Sequence, residues 1–408
     1  MSGSKNIVIL IDGAADDPID ALGGKTPLQA ARKPALDSLA GRAEMGMVKT
    51  IPDGMPAGSD TANLSIFGYD PAEFYTGRSS LEAASMGVHL AENDITFRCN
   101  LVTLSEAASY PDRVMVDYSA GEIPTAQSRA LIADLAAALG SADISFHPGI
   151  SYRHLIVWEN GPKDPRLVPP HDISGREIGP HLPRGGGKDV LLDLMIRSLG
   201  ILKDHPANKA REAAGLRPAN AIWIWGEGRK PKLVPFSSKY GVEGSVISAV
   251  DLVKGIGVCA GLKIVDVPGA TGNIHTNFAG KAAAALEELR GGRDFVYLHV
   301  EAPDECGHQG DVAGKVRSIE LIDEKIIGPV LRGLEASGEE FRIMVLPDHP
   351  TPIARKTHTP EPVPFLIFAS SVSSVTGAAG FDEISAAASG ILVPAGHQLM
   401  GRFLKKRA

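Results

Sequence analysis

No run in this sequence is long and apolar enough to span a bilayer, so a helical membrane protein is excluded. Cysteine is scarce: Cys99, Cys259 and Cys306 are odd in number and far apart. That argues against a disulfide framework and for a reducing compartment. No long run of basic residues is present either. The 48 acidic and 41 basic residues leave a net charge of −7 spread along the chain, so neither nucleic acid nor a membrane surface is an expected partner. The only apolar run near the start, residues 7–11, is too short for the core of a secretion signal, and a cytoplasmic location is expected. No internal repeat or low-complexity tract is visible. What is there is a 44% hydrophobic fraction over 408 residues, ample for a core and long enough for two domains.

Ile7-Val8-Ile9-Leu10-Ile11 is a continuous aliphatic run, which predicts a strand buried on both faces of a parallel sheet. Asp12 follows directly, at the carboxyl edge where open α/β sheets place ligands. Residues 28–43 read as a helix broken near Lys33-Pro34. A loop over residues 50–64 carries Ser59, which follows Gly58 and precedes the helix-starting run Asp60-Thr61-Ala62-Asn63. A hydroxyl there lies near free backbone N–H groups and the positive end of a helix dipole, a setting for phosphate. Capping the helix is the commoner use of such a serine. A serine is a weak nucleophile without a base, a lowered pKa or a metal. No His or Lys lies close to Ser59 in sequence, so any help comes from elsewhere in the chain.

From about residue 95 the texture changes. Residues 95–102 and 152–158 read as strands, and Thr125 as the cap of a helix through Leu139. The stretch 95–218 is rich in cations: Arg98, Arg153, His154, His171, His181 and Arg184. It reads as an inserted α+β lobe holding phosphate or carboxylate groups bidentately opposite a metal site, with residues 1–94 and 219–408 as the main domain. Arg78 is a further candidate for a substrate anion. Residues 182–189 superficially suggest a phosphate loop, but Asp189 stands where Ser or Thr is needed and Leu182 where Gly is needed. A flexible loop and no nucleotide cofactor are expected there. Residues 220–225 read as a strand ending in a turn at Gly226-Glu227-Gly228, residues 245–259 as a helix, 262–267 as a strand and 277–290 as a helix. Strands alternating with helices of these lengths predict a doubly wound α/β sheet.

Phe295-Val296-Tyr297-Leu298-His299-Val300 is another buried run, followed by Asp304 and His308 at helical spacing. Ile343-Met344-Val345-Leu346 is a third, ended by Asp348 and His349 between two prolines. His358 precedes a fourth apolar run, residues 363–368. In a parallel sheet the acidic and imidazole clusters after the first three runs converge on one edge. Asp304, His308 and His358 then make one ligand set, and Asp12, Asp348, His349 and the Ser59 oxygen a second. Mixed N/O ligation without thiolate suits two manganese or zinc ions, with magnesium as a further candidate. Two ions about 4 Å apart can clamp the attacking and leaving oxygens of a phosphoryl displacement.

Together, residues 11–13, residues 56–69 with Gly58-Ser59-Asp60-Thr61-Ala62, Gly77-Arg78, Tyr152-Arg153-His154, Gly269-Ala270-Thr271-Gly272, residues 304–311, Asp348-His349 and the segment around His358 resemble the archaeal-type cofactor-independent phosphoglycerate mutases of the alkaline phosphatase superfamily. The resemblance spans nearly the whole chain. It implies an alkaline-phosphatase-type main domain split by an inserted lobe, a two-metal site, and a phosphoserine intermediate on Ser59. It also implies interconversion of 3- and 2-phosphoglycerate without bisphosphoglycerate. Ser79-Ser80 after Gly77-Arg78, and His275, depart from the family's usual pattern, and the stretches 223–226 and 346–352 resemble a bacterial branch proposed to phosphorylate homoserine. That branch is the alternative: a phosphotransferase to homoserine with phosphoserine as donor. In both readings the partner is a small phosphorylated hydroxy-acid or amino acid.

Overall fold

The computed structural model describes residues 4–372 and 378–405, and the chain divides into two compact units, Met1–Tyr75 with Lys232–Ala408 and Thr76–Pro231. The strands, in chain order, are β1 (Lys5–Ile11), β2 (Glu44–Val48), β3 (Ile95–Leu104), β4 (Met115–Asp117), β5 (Ile144–Ile150), β6 (Arg153–Trp158), β7 (Pro165–Arg166), β8 (Arg184–Gly185), β9 (Ala221–Arg229), β10 (Gly244–Ile247), β11 (Lys263–Val265), β12 (Phe295–Val300), β13 (Phe341–Leu346), β14 (Val363–Ala369) and β15 (Leu392–Val393).

The first unit is built on an eight-stranded sheet of order β11-β10-β12-β1-β13-β14-β2-β15. β10, β11, β12, β1 and β13 run parallel, whereas β14 is antiparallel to both of its neighbours. This is the mainly parallel α/β sheet that the aliphatic runs predict. Every residue of β1, β12 and β14 is buried, so these strands are covered on both faces. On one face Ile7, Ile9 and Ile11 join Val296, Leu298, Ile343 and Val345 in a core closed by the helices Phe278–Arg290, Val312–Ile322 and Gly328–Ser337. The expected break at Lys33-Pro34 separates the helices Pro27–Ala30 and Pro34–Ala40. Proline crowds the residue before it out of the helical region, and Lys33 sits at φ −134°, ψ 62°.

The second unit has an antiparallel sheet of order β4-β3-β6-β5, with β9 also pairing β3. Its core joins Phe97, Cys99, Leu101, Ile156 and Ile224 to Leu131, Leu135, Leu191 and Met195 from the helices Thr125–Leu139 and Lys188–Leu202. The unit takes in the whole cation-rich stretch 95–218 and adds the helix Arg78–Ser85 before it and β9 after it.

Four local expectations are corrected. Residues 245–259 are not one helix: β10 ends at Ile247 and a helix begins only at Asp251, because Val250 is extended. A short apolar run does not distinguish the two periods. The Gly226-Glu227-Gly228 turn lies inside β9, which absorbs Gly226 at φ 60° beside a register shift opposite Thr96 and Arg98. Thr125 is the first residue of its helix, after Pro124, and its Oγ1 accepts from the Ser151 N–H at 3.0 Å. Residues 182–189 are not simply a loop: β8 pairs with β7, and Lys188 and Asp189 open a 15-residue helix. No helix among the described residues is long and apolar enough to cross a membrane.

Candidate metal centre

β12, β1 and β13 are neighbours in register, with Leu10 opposite His299 on one side and Leu346 on the other. Their carboxyl ends therefore stop together, and the first polar residues beyond them, Asp12, Glu301 and Asp348, emerge at one edge. Asp304 and His308 follow on the helix Ala302–Gln309, one turn apart. His358 reaches the same edge for a different reason: β14 runs antiparallel, so the chain just before it lies beside the end of β13. Gly13 is obligatory in this arrangement. It adopts φ 63°, and a Cβ there would meet Asp304 atoms at 2.6 Å.

Ser59 opens the helix Ser59–Ile66, and Gly58 in an extended conformation is the cap. The serine side chain makes no capping bond; its Oγ lies 3.0 Å from His349 Nε2. One turn later Asn63 donates to Asp348 Oδ2 and to the Ser59 carbonyl, both at 2.9 Å, and accepts from the Tyr297 hydroxyl at 2.7 Å. All seven metal-site candidates, Asp12, Ser59, Asp304, His308, Asp348, His349 and His358, thus meet at one sheet edge of the first unit. Ligand atoms of Asp304, His349 and His358 lie within 4.8 Å of one another, as do those of Asp12, His299 and Asp348, and those of Asp12, Glu301 and Asp304. His349 stands between the two predicted ligand sets, with its ring 4.0 Å from that of His358.

The electrostatics fit a divalent ion. His308 Nε2 and His358 Nε2 face each other at 2.9 Å, and Asp304 oxygens lie 3.3 and 3.4 Å from them. Asp12 Oδ2 lies 2.8 Å from His299 Nε2, while its buried Oδ1 has no hydrogen-bond partner and lies 3.7 Å from His349 Nε2. Burial, reinforced by the charges of Asp348 and Asp304, pushes the Asp12 carboxyl well above its usual range. Burial acts the same way on Asp304, but hydrogen bonds from His308 and His358 outweigh it and hold Asp304 well below. The hydrogen bond to Asp304 raises His308 to about 9, and burial lowers His349 and takes His299 down to about 3. Crowded carboxylates and convergent imidazole nitrogens of this kind suit a divalent cation.

His299, Glu301, Asn63, Tyr297 and Thr351 were not among the sequence candidates. Glu301 had a signal, since it directly follows the run 295–300, whereas His299 lies inside that run. Thr351, whose Oγ1 donates to Asp304 and lies 3.3 Å from His349 Nδ1, had none.

The second unit gathers four of its five substrate candidates. Glu82 accepts from Arg78 Nε at 2.9 Å and pairs with Arg98 Nε at 3.1 Å. Burial would raise its carboxyl, yet Arg98, Arg78 and Arg153 together hold it below the ordinary value. Arg98 stacks 4.3 Å over Trp225, and the His171 ring lies 5.3 Å from that same ring. His154 stands apart. It pairs across strands with Cys99, whereas Arg98 pairs with Leu155 and Arg153 with Asn100, so the alternation of the sheet turns it to the other face. Its Nδ1 accepts from the Gly149 N–H at 3.0 Å, and burial lowers its pKa to about 3. Of the remaining cations, His181 lies in a short turn and Arg184 donates to the Pro180 carbonyl at 2.8 Å.

A family model described as 2,3-bisphosphoglycerate-independent phosphoglycerate mutase matches residues 40–208. A probable enzyme of that name from Geobacter sulfurreducens is 52% identical over 402 residues, covering 98% of this chain and 100% of the relative. One from Methanothrix thermoacetophila is 50% identical, covering 97% and 98%. Among solved structures, the PH0037 protein from Pyrococcus horikoshii aligns with a TM-score of 0.83 at 29% identity, over 100% of both chains. The cofactor-independent phosphoglycerate mutase from Thermoplasma acidophilum aligns with a TM-score of 0.67 at 24% identity, over 98% of this chain and 99% of that one, and speaks to the fold alone.

Proposed function

The chain belongs to the 2,3-bisphosphoglycerate-independent phosphoglycerate mutases, and on that premise we propose that it interconverts 3- and 2-phosphoglycerate through a phosphoryl group carried on Ser59. The observation that carries this reading is the Ser59 hydroxyl at a helix start, 3.0 Å from His349 Nε2 and among six further candidate ligands. Asp304, His308 and His358 would hold one divalent ion, and Asp12, Asp348, His349 and the Ser59 oxygen a second, with manganese, zinc and magnesium as the candidates. Such ions, when bound, favour the deprotonated serine and offset charge on the phosphoryl oxygens.

The chain's own part is positional. Asn63 fixes Ser59 and Asp348 relative to each other. Thr351 orients Asp304. Ser59 Oγ forms a bond to phosphorus as the bond to the glycerate oxygen breaks, and that oxygen takes up a proton. In the return step the other glycerate hydroxyl loses its proton, bonds to phosphorus and releases Ser59. In the second unit Arg78, Arg98 and Arg153, ordered by Glu82, offer guanidinium donors to a carboxylate or phosphate, with His171 nearby. The homoserine alternative finds no support in the relatives named above.

The test is the metal-loaded chain with 3-phosphoglycerate and no bisphosphoglycerate. We expect 2-phosphoglycerate to form, and Ser59→Ala to lose activity by about a thousandfold or more while keeping fold and metal content. Release of inorganic phosphate alone would mean a hydrolase. Transfer from phosphoserine to homoserine, without mutase turnover, would overturn the mutase reading.

A further inference from the structure

His299 has no part in either ligand set above, yet it is completely buried beside one of them. Its place follows from the sheet. β12 lies between β10 and β1, with Leu298 opposite Ile247 and His299 opposite Leu10. The residues just past the ends of the two flanking strands are Ser248 and Asp12, and the imidazole bridges them. Its Nε2 lies 2.8 Å from Asp12 Oδ2, and its Nδ1 lies 3.1 Å from Ser248 Oγ.

The proton directions follow from the partners. An ionised carboxylate only accepts, so a ligating Asp12 takes its hydrogen bond from Nε2–H. Ser248 Oγ already accepts the Val250 N–H at 2.9 Å, which leaves its own proton to donate to Nδ1. The backbone behind the ring is held as well, since the buried Lys281 Nζ donates to the His299 carbonyl at 3.0 Å. Asp12 is therefore engaged on one oxygen only. Its Oδ1 has no hydrogen-bond partner among the described residues and lies 3.7 Å from His349 Nε2. The other two carboxylates are served in the same way by side chains that carry no charge. Asn63 donates to Asp348 Oδ2 at 2.9 Å, and Thr351 donates to Asp304.

We propose that His299, held by Ser248, is a positioning residue that fixes the Asp12 carboxylate through Oδ2 and leaves Oδ1 to the ion, and that His299 is not itself a ligand. Outer partners of this kind orient a ligating carboxylate, and losing one typically weakens metal binding by about ten- to a hundredfold. The inference rests on the two-ion reading of the site and not on which alcohol accepts the phosphoryl group.

The test is manganese binding to the full, metal-stripped chain without substrate, with the free ion followed by electron paramagnetic resonance. We expect two equivalents in the wild type. His299→Leu should still bind two, one of them about tenfold or more weakly. His299→Gln should recover most of that affinity, because its amide N–H can stand in for Nε2–H. Ser248→Ala, which touches no ligand, should weaken the same ion by about fivefold and covers the case where His299→Leu does not fold. Loss of one whole equivalent in His299→Leu without rescue by His299→Gln would make His299 a ligand and overturn the proposal. Wild-type affinity in His299→Leu and Ser248→Ala would overturn it alone, leaving the metal centre standing. No manganese bound to the wild type would overturn the two-ion reading and the proposal with it.

Discussion

His154 and Asn63 illustrate what single residues decide. Asn63 is completely buried, and its amide bonds join Ser59, Asp348 and Tyr297, so the position of Ser59 is set by a residue with no ionisable group. His154 is the opposite case, an ionisable group in a place with no use for its charge. Its Nδ1 accepts a backbone N–H, so the ring is neutral with its proton on Nε2, and that atom is buried without a partner. Burial lowers its pKa from 6.5 to about 3. Above 6.5 the ring is neutral in both folded and unfolded chains and contributes no pH dependence. Between 6.5 and about 3 the unfolded chain takes up a proton that the folded chain refuses, so stability falls as pH falls. The slope from one proton is at most about 1.4 kcal/mol per pH unit. Denaturant titrations of wild type and His154→Gln from pH 7 to 4.5 should therefore diverge, with the wild type losing stability faster. Parallel curves would mean that His154 titrates normally in the folded chain.

At the scale of elements, the site is made by strand ends, and strand ends were legible. Residues 7–11, 295–300 and 343–346 are uninterrupted apolar runs, and each stops at an acid or an acid-imidazole cluster, so Asp12, Asp304 and Asp348 could be placed before any coordinates. The direction of β14 was not legible, because an apolar run carries no sign of parallel or antiparallel pairing. Its reversal is what delivers His358. His299 was hidden for a related reason: it lies inside the run that marks the strand. Contacts between loops leave no pattern at all. The clearest is Lys315, on the helix Val312–Ile322, whose fully buried Nζ lies 2.7 Å from Asp16 Oδ2 and 2.8 Å from the Thr351 carbonyl. It ties the loop after β1 to the loop after β13, and those loops carry Asp12 and His349. Lys315→Met strands the Asp16 carboxylate in the interior and should cost about 3–5 kcal/mol. Adding Asp16→Leu removes the orphaned charge and should restore part of that stability in chemical denaturation. A single variant as stable as wild type would show that the strut holds nothing.

Across the whole molecule, the candidate ligands come from residues 12 to 358, while residues 76–231 of the chain form a unit of their own. The ligand set therefore cannot exist before the first unit has folded around both halves of its chain. Without a cation the assembled site is a liability. Asp12, Asp304 and Asp348 are all buried, and the last two push the Asp12 carboxyl up beyond what burial alone does. An ion that binds the folded site and not the open chain removes that repulsion and stabilises by mass action, about 2.7 kcal/mol per site at a hundredfold excess over its Kd. Treatment with EDTA should lower the melting temperature, and adding manganese or zinc back should restore it in a concentration-dependent way. The double substitution Asp304→Asn, His358→Ala removes only one of the two ligand sets, so it should leave a smaller but measurable metal response. This separates two ions from one. A melting temperature indifferent to EDTA and to added metal would mean that the converging carboxylates are held by the fold alone, and the phosphoryl-transfer reading would lose its means of activating Ser59.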